Sequence, residues 1–457
     1  MGKLRFFFAL WMAKLSKPAL KITGHAGTNF PGELAIKLCP DFLKYVSKPE
    51  KIIGVTGTNG KTTCNNLVTE LMELTGKKIL DNRAGANINS GIATTLIAGV
   101  SLTNKCRYDI GVLEIDERSS KLILPYVQPD LLLITNLFRD SIQRNAHAEY
   151  IANFLTDNMP EKTKLILNAD DLISSGVAPN NPRVYFGIER LPTDVTECIN
   201  KINDVQICPQ CAGELVYDYR RYHHIGRAHC IECGFTSPDY DYAGKAIDLD
   251  AMTMTVSDGK GEGRYKIINN SIFNIYNMVS AIAVMRELGF SHEKIAAKLE
   301  GMSIVKSRFA EDTRGDLTVM LQMAKEKNPL ANSRALDYIA GLEGKKEIIL
   351  MPNCLTDGDN WPENVTWLYE SDYEFLNRDD ISCIIITGPY ASDYELRLLL
   401  AGVDKKKIVC EFDEFTSAEL VPLTAGENVY IISGMDHFDI AEKARDRIFE
   451  RAKEMGR

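Results

Sequence analysis

The stretch at residues 54–63, Gly-Val-Thr-Gly-Thr-Asn-Gly-Lys-Thr-Thr, has the residue types of a phosphate-binding loop. It follows the apolar run at residues 51–53 and precedes a helical pattern with Leu67, Leu71 and Leu74. Strand, glycine-bearing turn and helix form the context that such a loop needs. The glycines let the backbone N–H groups point inward, and the helix N-terminus adds a partial positive charge. The alternative is a strand-turn-helix unit with chance glycines.

Two side chains of this loop have distinct expected roles. Lys61 is expected to reach the β- and γ-phosphates of a nucleotide, and the Thr62 hydroxyl is expected to hold Mg²⁺. Because a lysine charge also opposes the negative charge that develops in phosphoryl transfer, Lys61 is a catalytic candidate as well. The predicted nucleotide-binding residues of the loop are Thr58, Asn59, Gly60, Lys61, Thr62 and Thr63.

An acidic cluster follows the predicted strand at residues 109–114. It consists of Glu114, Asp116 and Glu117. An acid at the carboxyl end of a parallel strand lies in the ligand crevice of a doubly wound sheet. Since Mg²⁺ takes one or two carboxylates together with phosphate oxygens and water, we predict Glu114 as a magnesium ligand and a catalytic residue. The alternative is a solvated acidic turn.

Two further polar segments leave their roles open. Residues 82–87 form a glycine-bearing turn before the helical stretch 90–98, either as a substrate loop or as a plain helix cap. Asn274 and Asn277 lie three residues apart at the start of a helix, so they share one face. They either cap that helix or line a site. Residues 24–32 are predicted to form a loop.

Four cysteines form two Cys-x-x-Cys pairs with 18 residues between the pairs. They are Cys208, Cys211, Cys230 and Cys233. This spacing lies within the range of zinc sites, where each pair forms a tight knuckle. Four thiolates leave no open position on zinc, so we predict a structural zinc ribbon, inserted at residues 205–237. His223, His224 and His229 remain spare possible ligands.

Composition limits the class of protein. The chain has 457 residues, enough for two or three domains, and its net charge of −9 argues against a general nucleic-acid binder. Its 11 cysteines, an odd number, favour a reducing compartment over a disulfide framework. The apolar run at residues 4–12 is too short for a bilayer, which takes about 20 residues. It is either a helix docked on the body or a helix that contacts the inner face of a membrane.

Strand patterns alternate with helical stretches along the chain, which predicts parallel sheets. The first group of predicted strands continues with residues 130–136, 165–170 and 184–187, and the second group comprises residues 318–322, 347–351, 382–387 and 428–433. We predict an N-terminal helix and loop at 1–50, an ATP-binding domain at 51–307 and a C-terminal α/β domain at 308–457.

The loop Gly-Thr-Asn-Gly-Lys-Thr-Thr resembles the ATP loop of the Mur ligases and the folylpolyglutamate synthetases. Those enzymes activate a carboxylate as an acyl phosphate, which an amine then attacks. The ribbon, the short segment before the loop, Lys327-Asn328-Pro329 and Asp357-Gly358 followed by Trp361 narrow the resemblance. Together they resemble the MurT subunits of lipid II isoglutaminyl synthase over nearly the whole chain.

The resemblance implies a fold and a reaction. The fold is a Mur-ligase-like α/β domain with a parallel sheet and an inserted zinc ribbon, followed by a C-terminal α/β domain. The implied cofactors are ATP, Mg²⁺ and Zn²⁺. The implied reaction is ATP-dependent amidation of the D-glutamate α-carboxyl group in the lipid II stem peptide, in the cytoplasm or at the inner face of the cell membrane. Ammonia is expected from a separate glutaminase subunit, GatD, docked on the C-terminal domain.

The resemblance also implies roles for particular residues. It places Asn274 and Asn277 beside the adenine, and Arg308, Lys327 and Asn328 among the nucleotide-binding residues. Either Asp357 or Asp359 matches the essential aspartate of the family, and we expect it to orient the catalytic histidine of the glutaminase. The histidine that holds a second metal in Mur ligases is missing, because Ser141 follows Asp140.

Three other functions remain possible at this stage. A folylpolyglutamate-type ligase shares the loop but lacks the ribbon. A Mur ligase that adds an amino acid needs the missing metal ligand and a larger N-terminal domain. A non-catalytic ATP-binding scaffold for a partner enzyme would show no ATPase activity with the lipid substrate.

Overall fold

The computed structural model describes residues 2–22, 27–83, 86–139, 147–302, 309–324, 328–351, 365–434 and 437–457, except for the side chains of residues 18, 19, 21, 22 and 309. The chain forms two compact units. The first comprises Met1–Phe138, His147–Ile199 and Asn203–Ile304, and the second consists chiefly of Val305–Arg457. The predicted boundaries at 50/51 and 307/308 stay predictions.

The described helices of the first unit come before, between and after its strands along the chain. They are α1 (Gly2–Ile22), α2 (Phe30–Leu38), α3 (Phe42–Tyr45), α4 (Lys61–Leu71), α5 (Asn89–Gly99), α6 (Ser120–Ile123), α7 (Ala148–Asn158), α8 (Ile272–Glu287) and α9 (His292–Glu300). Its strands are β1 (Lys51–Thr56), β2 (Ile79–Asp81), β3 (Ile110–Glu114), β4 (Leu131–Ile134), β5 (Lys164–Asn168), β6 (Arg183–Ile188), β7 (Leu215–Tyr222), β8 (Ile225–Cys230), β9 (Tyr242–Asp248), β10 (Thr253–Asp258) and β11 (Gly261–Lys266).

Nine of these strands form one sheet in the order β11-β10-β9-β6-β5-β4-β1-β3-β2. Strands β1 to β6 pair in parallel, β9 is parallel to β6, and β10 and β11 add antiparallel pairs at the edge. Strands β3 and β4 are buried along their whole length, as expected for a parallel sheet covered on both faces. The parallel sheet and the strands predicted within it are confirmed. Strands β9 to β11 were not predicted.

Helix α1 packs on the first unit through Phe6, Ala9, Leu10 and Ala13, which are all buried. Docking on the body is therefore confirmed for one face of this helix. Among the described helices, none combines the length and the apolar character needed to cross a bilayer.

The predicted loop at residues 24–32 is wrong at its C-terminal end, because helix α2 begins at Phe30. Pro31 lies in the first turn of this helix, where a missing N–H group costs no hydrogen bond. The Gly32 N–H group donates to Thr94 Oγ1 at 2.9 Å, so α2 lies directly against α5. Residues 23–26 lie outside the described part of the chain.

The inserted segment forms an antiparallel hairpin of β7 and β8 that makes a separate two-stranded sheet. The two cysteine pairs lie before β7 and at the end of β8. Tyr217, Tyr219 and Tyr222 of β7 are all buried. The hairpin form of the predicted ribbon is confirmed.

The second unit contains a six-stranded sheet in the order β12-β13-β17-β14-β15-β16. Its strands are β12 (Phe309–Arg314), β13 (Leu317–Met323), β14 (Lys345–Met351), β15 (Ile381–Thr387), β16 (Ile408–Glu411) and β17 (Glu427–Ser433). Its helices are α10 (Pro329–Gly341), α11 (Trp367–Glu370), α12 (Ala391–Leu400), α13 (Ser417–Leu420) and α14 (Phe438–Glu454). The four predicted strands are the central, parallel ones, whereas the edge strands β12 and β16 were not predicted.

Candidate active site

Three neighbouring strands inside the nine-stranded sheet, β4, β1 and β3, end side by side at their carboxyl ends. Strand β1 lies between β3 and β4, with Val55 paired to Glu114 and Thr56 paired to Ile134. The loop after β1, the acid at the end of β3 and the polar residues after β4 therefore lie together. The chain continues from β1 towards β2 on one side and from β4 towards β5 on the other, and such a switch point is where open α/β sheets bind ligands.

The loop after β1 turns at two glycines. Gly57 has a φ of +126°, and a Cβ atom there would lie 2.2 Å from Thr135 Oγ1. Gly60 has a φ of +84°, and its Cβ atom would lie 2.4 Å from Asn277 Oδ1. Both positions thus exclude a side chain by conformation and by space. The turn delivers the chain into α4, and the N-terminus of a helix favours a bound anion through its N–H groups and its dipole.

The residues after β4 hold the loop in this shape. The Thr58 and Asn59 N–H groups donate to the Asn136 backbone carbonyl and side-chain oxygen, at 2.8 and 3.0 Å. Thr135 Oγ1 donates to the Asn59 carbonyl at 2.7 Å. The loop is therefore preorganised by hydrogen bonds that do not depend on a ligand.

Lys61 lies within the loop and pairs with an acid. Its ammonium group lies 2.9 Å from Glu117 Oε1 and 2.5 Å from the Gly57 carbonyl. Burial raises the pKa of Glu117, and the nearby Lys61 charge opposes that rise. The sequence places Glu117 in the acidic cluster but does not predict its ion pair with Lys61. The run of acids after β3 was the one sequence feature that pointed to it.

Glu114 is held by two asparagines from the turn after β2. Asn87 Nδ2 donates to Glu114 Oε1 at 2.8 Å. The Asn82 side chain holds the Glu114 backbone, since Asn82 Oδ1 accepts from the Glu114 N–H group at 2.8 Å and Asn82 Nδ2 donates to the Glu114 carbonyl at 2.9 Å. The other carboxylate oxygen, Oε2, is buried and makes no hydrogen bond within the described residues. All three acids of the cluster are buried, so a solvated acidic turn does not describe them.

The unpartnered Glu114 oxygen fits a metal ligand. A buried carboxylate oxygen without a partner costs free energy unless a cation or a donor compensates it. Oxygen ligands from one or two carboxylates are what Mg²⁺ takes in nucleotide sites. The described part of the turn at residues 82–87 therefore orients this carboxylate, a role that sequence reasoning did not assign to Asn82 or Asn87.

Glu114→Gln is expected to lower the ATP-dependent rate by about 100-fold at low Mg²⁺, with partial recovery as Mg²⁺ is raised. The amide keeps the shape of the carboxylate but loses the charge that a cation requires. The rate as a function of Mg²⁺ concentration measures this. Glu73→Gln is the matched control, because Glu73 is exposed and its ion pair with Lys298 contributes little. An unchanged Mg²⁺ dependence in Glu114→Gln would exclude Glu114 as a ligand.

The start of α8 lies beside the phosphate loop. Asn277 is buried, and its Oδ1 atom lies 3.2 Å from Cys64 Sγ and against Gly60. Asn277 Nδ2 donates to Asn274 Oδ1 at 3.4 Å, and Asn274 Nδ2 donates to Ser271 Oγ at 2.8 Å. Asn277 thus lies against the loop and Asn274 lies beside Asn277, whereas the adenine contact of both residues stays a prediction.

Gly60→Ala is expected to raise KM for ATP about tenfold or more, because the methyl group must displace Asn277 and the left-handed backbone becomes strained. Gly76→Ala separates these two causes. Gly76 also has a positive φ, of +64°, but a Cβ atom there would meet nothing within 4 Å. We expect Gly76→Ala to lose some stability and to keep its KM. Equal KM values for Gly60→Ala and the unaltered chain would contradict the close fit.

The other predicted site residues have less structural support. Thr62 and Thr63 lie in the first turn of α4 and are half-buried. Asn328 is buried and caps α10, with its side-chain oxygen accepting from Ala331 N at 2.9 Å. Arg308, Lys327, Asp357 and Asp359 lie outside the described residues. The roles of all these residues stay predictions.

The four predicted cysteines converge on one point. Their Sγ atoms all lie within 4.8 Å of one another. Cys208 Sγ lies 3.6 Å from Cys233 Sγ, and Cys211 Sγ lies 3.5 Å from Cys230 Sγ. Two pairs of thiolates at these separations suit a tetrahedral metal. These four residues are the cysteines that the sequence predicted as metal ligands.

The tip of the inserted hairpin packs against the end of β4. The Phe138 ring lies 4.4 Å from the His224 ring and 6.2 Å from the Tyr222 ring. The Phe138 N–H group in turn donates to Thr58 Oγ1 at 2.9 Å. The hairpin thus contacts the segment that shapes the phosphate loop.

A buried acid completes this link. Asp171 Oδ1 lies 3.1 Å from His224 Nε2, and Asp171 Oδ2 accepts from the Leu137 N–H group at 2.7 Å. Arg221 of β7 makes a second buried connection through Asp194 and Asp170, at 2.8 and 3.3 Å. Sequence reasoning treated His224 as a spare metal ligand and did not single out Arg221. The run of arginines and histidines at residues 220–224 was the sequence feature that could have indicated these buried contacts.

Comparisons with known proteins identify the family. The Mur ligase middle domain model matches residues 55–200, and the MurT ligase C-terminal model matches residues 326–435. A protein named lipid II isoglutaminyl synthase (glutamine-hydrolyzing) subunit MurT, from Staphylococcus aureus strain COL, is 32% identical over 89% of this chain and 90% of its own length. The chain belongs to the MurT family of Mur ligases. The MurT subunit of Streptococcus pneumoniae is 31% identical over 84% of both chains.

Solved structures show the same fold. A pseudomurein peptide ligase type C from Methanothermus fervidus superimposes with a TM-score of 0.66 at 20% identity, over 90% of this chain and 80% of that one. The MurF ligase of Thermotoga maritima, solved in complex with ADP, gives a TM-score of 0.57 at 15% identity, over 93% and 85% of the two chains. The predicted family, the Mur-ligase-like fold and the class of ATP-dependent ligase are confirmed. The Mur ligase family uses ATP and Mg²⁺.

Proposed function

We propose that this MurT-family chain amidates the α-carboxyl group of D-glutamate in the stem peptide of lipid II. The observation that carries the proposal is the sheet edge where a glycine-turned loop, Lys61 and a buried carboxylate oxygen of Glu114 without a partner come together. This arrangement suits the transfer of a phosphoryl group from ATP to a carboxylate. The proposal of a lipid-linked substrate is supported by the name of the Staphylococcus aureus relative, which matches 89% of the chain.

In the proposed first step, an oxygen of the substrate carboxylate attacks the γ-phosphorus of ATP. The bond from that phosphorus to the β,γ-bridging oxygen breaks, leaving ADP and an acyl phosphate. Lys61 opposes the negative charge that develops on the transferred group, and the loop N–H groups orient the phosphates. Glu114 and Thr62 would hold Mg²⁺, which supplies charge neutralisation between the phosphates when it is bound.

In the proposed second step, ammonia attacks the acyl carbon. The carbon–oxygen bond to phosphate breaks, inorganic phosphate leaves, and the nitrogen loses a proton to give the primary amide of D-isoglutamine. Phosphate leaves far more readily than hydroxide, which is why the carboxylate must first be activated. The expected products are therefore one amide, one ADP and one phosphate per turnover.

The ammonia is proposed to come from a glutaminase partner, GatD. The relatives are named as glutamine-hydrolyzing enzymes and as subunits, which supports a complex. Cys64, near the phosphate loop, is an unsuitable nucleophile because burial raises the pKa of its thiol to about 12. None of the 11 cysteines has glycine both two residues before and two residues after it, as a Gly-x-Cys-x-Gly elbow requires.

A structural Zn²⁺ is proposed at Cys208, Cys211, Cys230 and Cys233. The four sulfur atoms lie close enough together to surround one ion. Because four thiolates fill the tetrahedral coordination of zinc, they support a structural site rather than a catalytic one. We also propose that the reaction takes place at the inner face of the membrane, where a lipid-linked substrate would be presented.

The direct test is a mass measurement on lipid II incubated with the chain, ATP and ammonium. Exchange of a hydroxyl group for an amino group lowers the mass by about one unit per site, as the reaction class requires. ADP release that depends on lipid II accompanies it. Unchanged lipid II mass, with ATP hydrolysis that ignores the lipid, would contradict the proposed reaction and favour a non-catalytic scaffold.

Asp357→Asn and Asp359→Asn are expected to differ in their effect on glutamine-driven amidation. If one of these carboxylates orients the catalytic histidine of the glutaminase, its replacement lowers the glutamine-driven rate by about 10⁴-fold, as for the aspartate of a triad. That variant should still form the complex and should retain turnover with ammonium salts. Assays with glutamine and then with ammonium measure this. Normal glutamine-driven rates in both variants would exclude the shared triad.

A further inference from the structure

The outer face of α1 carries large apolar side chains that no described residue covers. Leu4, Phe8, Trp11, Met12 and Leu15 are all exposed, and Leu4 and Leu15 are 81% and 68% exposed. Their spacing of i, i+4, i+7, i+8 and i+11 places them along one side of the helix. We call this set the outer stripe of α1.

The opposite side of α1 is fixed on the body of the first unit, so the outer stripe is not a core face that has come loose. Phe6, Ala9, Leu10 and Ala13 are buried there. Lys14 Nζ donates to the Ile97 and Val100 carbonyls at 2.6 and 2.7 Å, at the C-terminal end of α5.

Trp11 and a neighbouring loop extend the apolar surface. Trp11 Nε1 donates to the Leu102 carbonyl at 2.9 Å, and the Leu102 side chain is itself 61% exposed. Helix α1 therefore has two apolar faces, one packed on the body and one exposed. Contiguous exposed apolar surface of this kind marks an interaction site.

The charge on this helix indicates what covers the outer stripe. Residues 2–22 include five basic residues and no acidic one, whereas the whole chain carries a net charge of −9. Lys3, Arg5 and Lys17 are exposed. A surface that combines Leu, Phe and Trp with lysine and arginine complements a bilayer whose headgroups are anionic. Pairing with a second copy would bring two strongly basic helices together.

We infer that the outer stripe of α1 docks on the surface of an anionic phospholipid bilayer. The side chains enter the interfacial region, with the helix parallel to the membrane plane, and the basic residues contact the headgroups. Trp and Phe suit that depth because their rings lie well at the membrane–water interface. This deepens the proposed function, on which its role rests, because a docked chain meets a lipid-linked substrate in the plane of the membrane.

The test is co-sedimentation of the full chain with vesicles of pure phosphatidylcholine or of phosphatidylcholine with phosphatidylglycerol. We expect binding about tenfold tighter to the anionic vesicles, and weaker binding in high salt. Leu4→Gln with Leu15→Gln should lower binding at least about tenfold, because both side chains lose their apolar contact with lipid. Leu249→Gln with Leu400→Gln is the matched control, since both leucines are exposed elsewhere on the chain.

Several results would overturn the inference. The first is a chain that stays in the supernatant with both kinds of vesicle, and the second is equal vesicle binding by the two double variants. The third is a concentration-dependent dimer in sedimentation velocity that only Leu4→Gln with Leu15→Gln abolishes, because the outer stripe would then bind a second copy of the chain. Thermal unfolding of each variant verifies that it is folded.

Vesicle binding needs neither ATP nor lipid II, so it can be measured separately from the proposed reaction. A chain that binds vesicles but amidates nothing supports docking and contradicts the proposed function, whereas a chain that amidates but ignores vesicles does the reverse.

Discussion

Lys61→Ala is expected to lower the rate of ATP-dependent amidation by about 10³-fold or more, the largest effect of any single replacement in the phosphate loop. Lys61 carries the positive charge of the loop sequence, and its ammonium group donates to the Gly57 carbonyl, in the backbone expected to surround the phosphates. Its loss leaves the charge of the transferred phosphoryl group without its main opposing charge. Steady-state release of ADP in the presence of lipid II measures the effect.

The Lys61–Glu117 pair requires a second variant in this experiment. In Lys61→Ala, Glu117 stays buried without its ion-pair partner, which is expected to cost about 3–5 kcal/mol of unfolding free energy. Uptake of a proton by the Glu117 carboxyl group reduces this cost. Lys61→Ala with Glu117→Gln removes both charges and should regain stability without regaining activity. Lys77→Ala, at an exposed lysine, is the control. Full activity in either Lys61 variant would exclude the phosphate-loop assignment.

Cys208→Ser is expected to abolish stable zinc binding and to lower the thermal midpoint of the chain by about 5–10 °C. The unaltered chain should contain about one Zn²⁺, measured by elemental analysis of the purified protein. A site of four converging sulfur atoms contributes its binding free energy to folding, and a hydroxyl group is a much poorer zinc ligand than a thiolate. Stability should fall more than the turnover number of the molecules that remain folded.

The control for this replacement is Cys106→Ser. Cys106 is half-buried, and its Sγ atom contacts the Tyr108 carbonyl at 3.4 Å, remote in sequence from the two cysteine pairs. It should keep both zinc and stability. A purified chain that contains no zinc and unfolds at the same temperature as the zinc-loaded chain would show that the ribbon needs no metal.

Local patterns allowed the main parts of the site to be predicted. The phosphate loop, Glu114 and the two cysteine pairs each depend on residue types at fixed short spacings, so one sequence suffices to locate them. The central strands of both sheets were also predictable, because they read as continuous apolar runs. Strand β4, for example, reads Leu-Leu-Leu-Ile and is buried at all four positions.

The partners of these residues could not be predicted because they depend on how distant segments pair. Lys61 meets Glu117 only because β1 and β3 are adjacent, and His224 meets Asp171 only because the hairpin folds back on the sheet. The missed strands have a different cause. Strands β11 and β16 lie at sheet edges, where β11 is largely exposed and β16 is buried at only one of four positions, so their sequences lack the apolar run that identifies a buried strand.

The contact between Gly60 and Asn277 has a consequence for synthesis of the chain on the ribosome. The loop emerges early, but the residues that close around it come later: Phe138, then His224 and finally Asn277, whose contact with Cys64 spans 213 positions. At about 5–20 residues per second, that separation corresponds to a delay of about 10–40 s. During this interval the nascent chain holds an unfinished nucleotide site. We therefore expect ATP to bind only after α8 has left the exit tunnel, so that nucleotide can stabilise the late stages of folding but not the early ones.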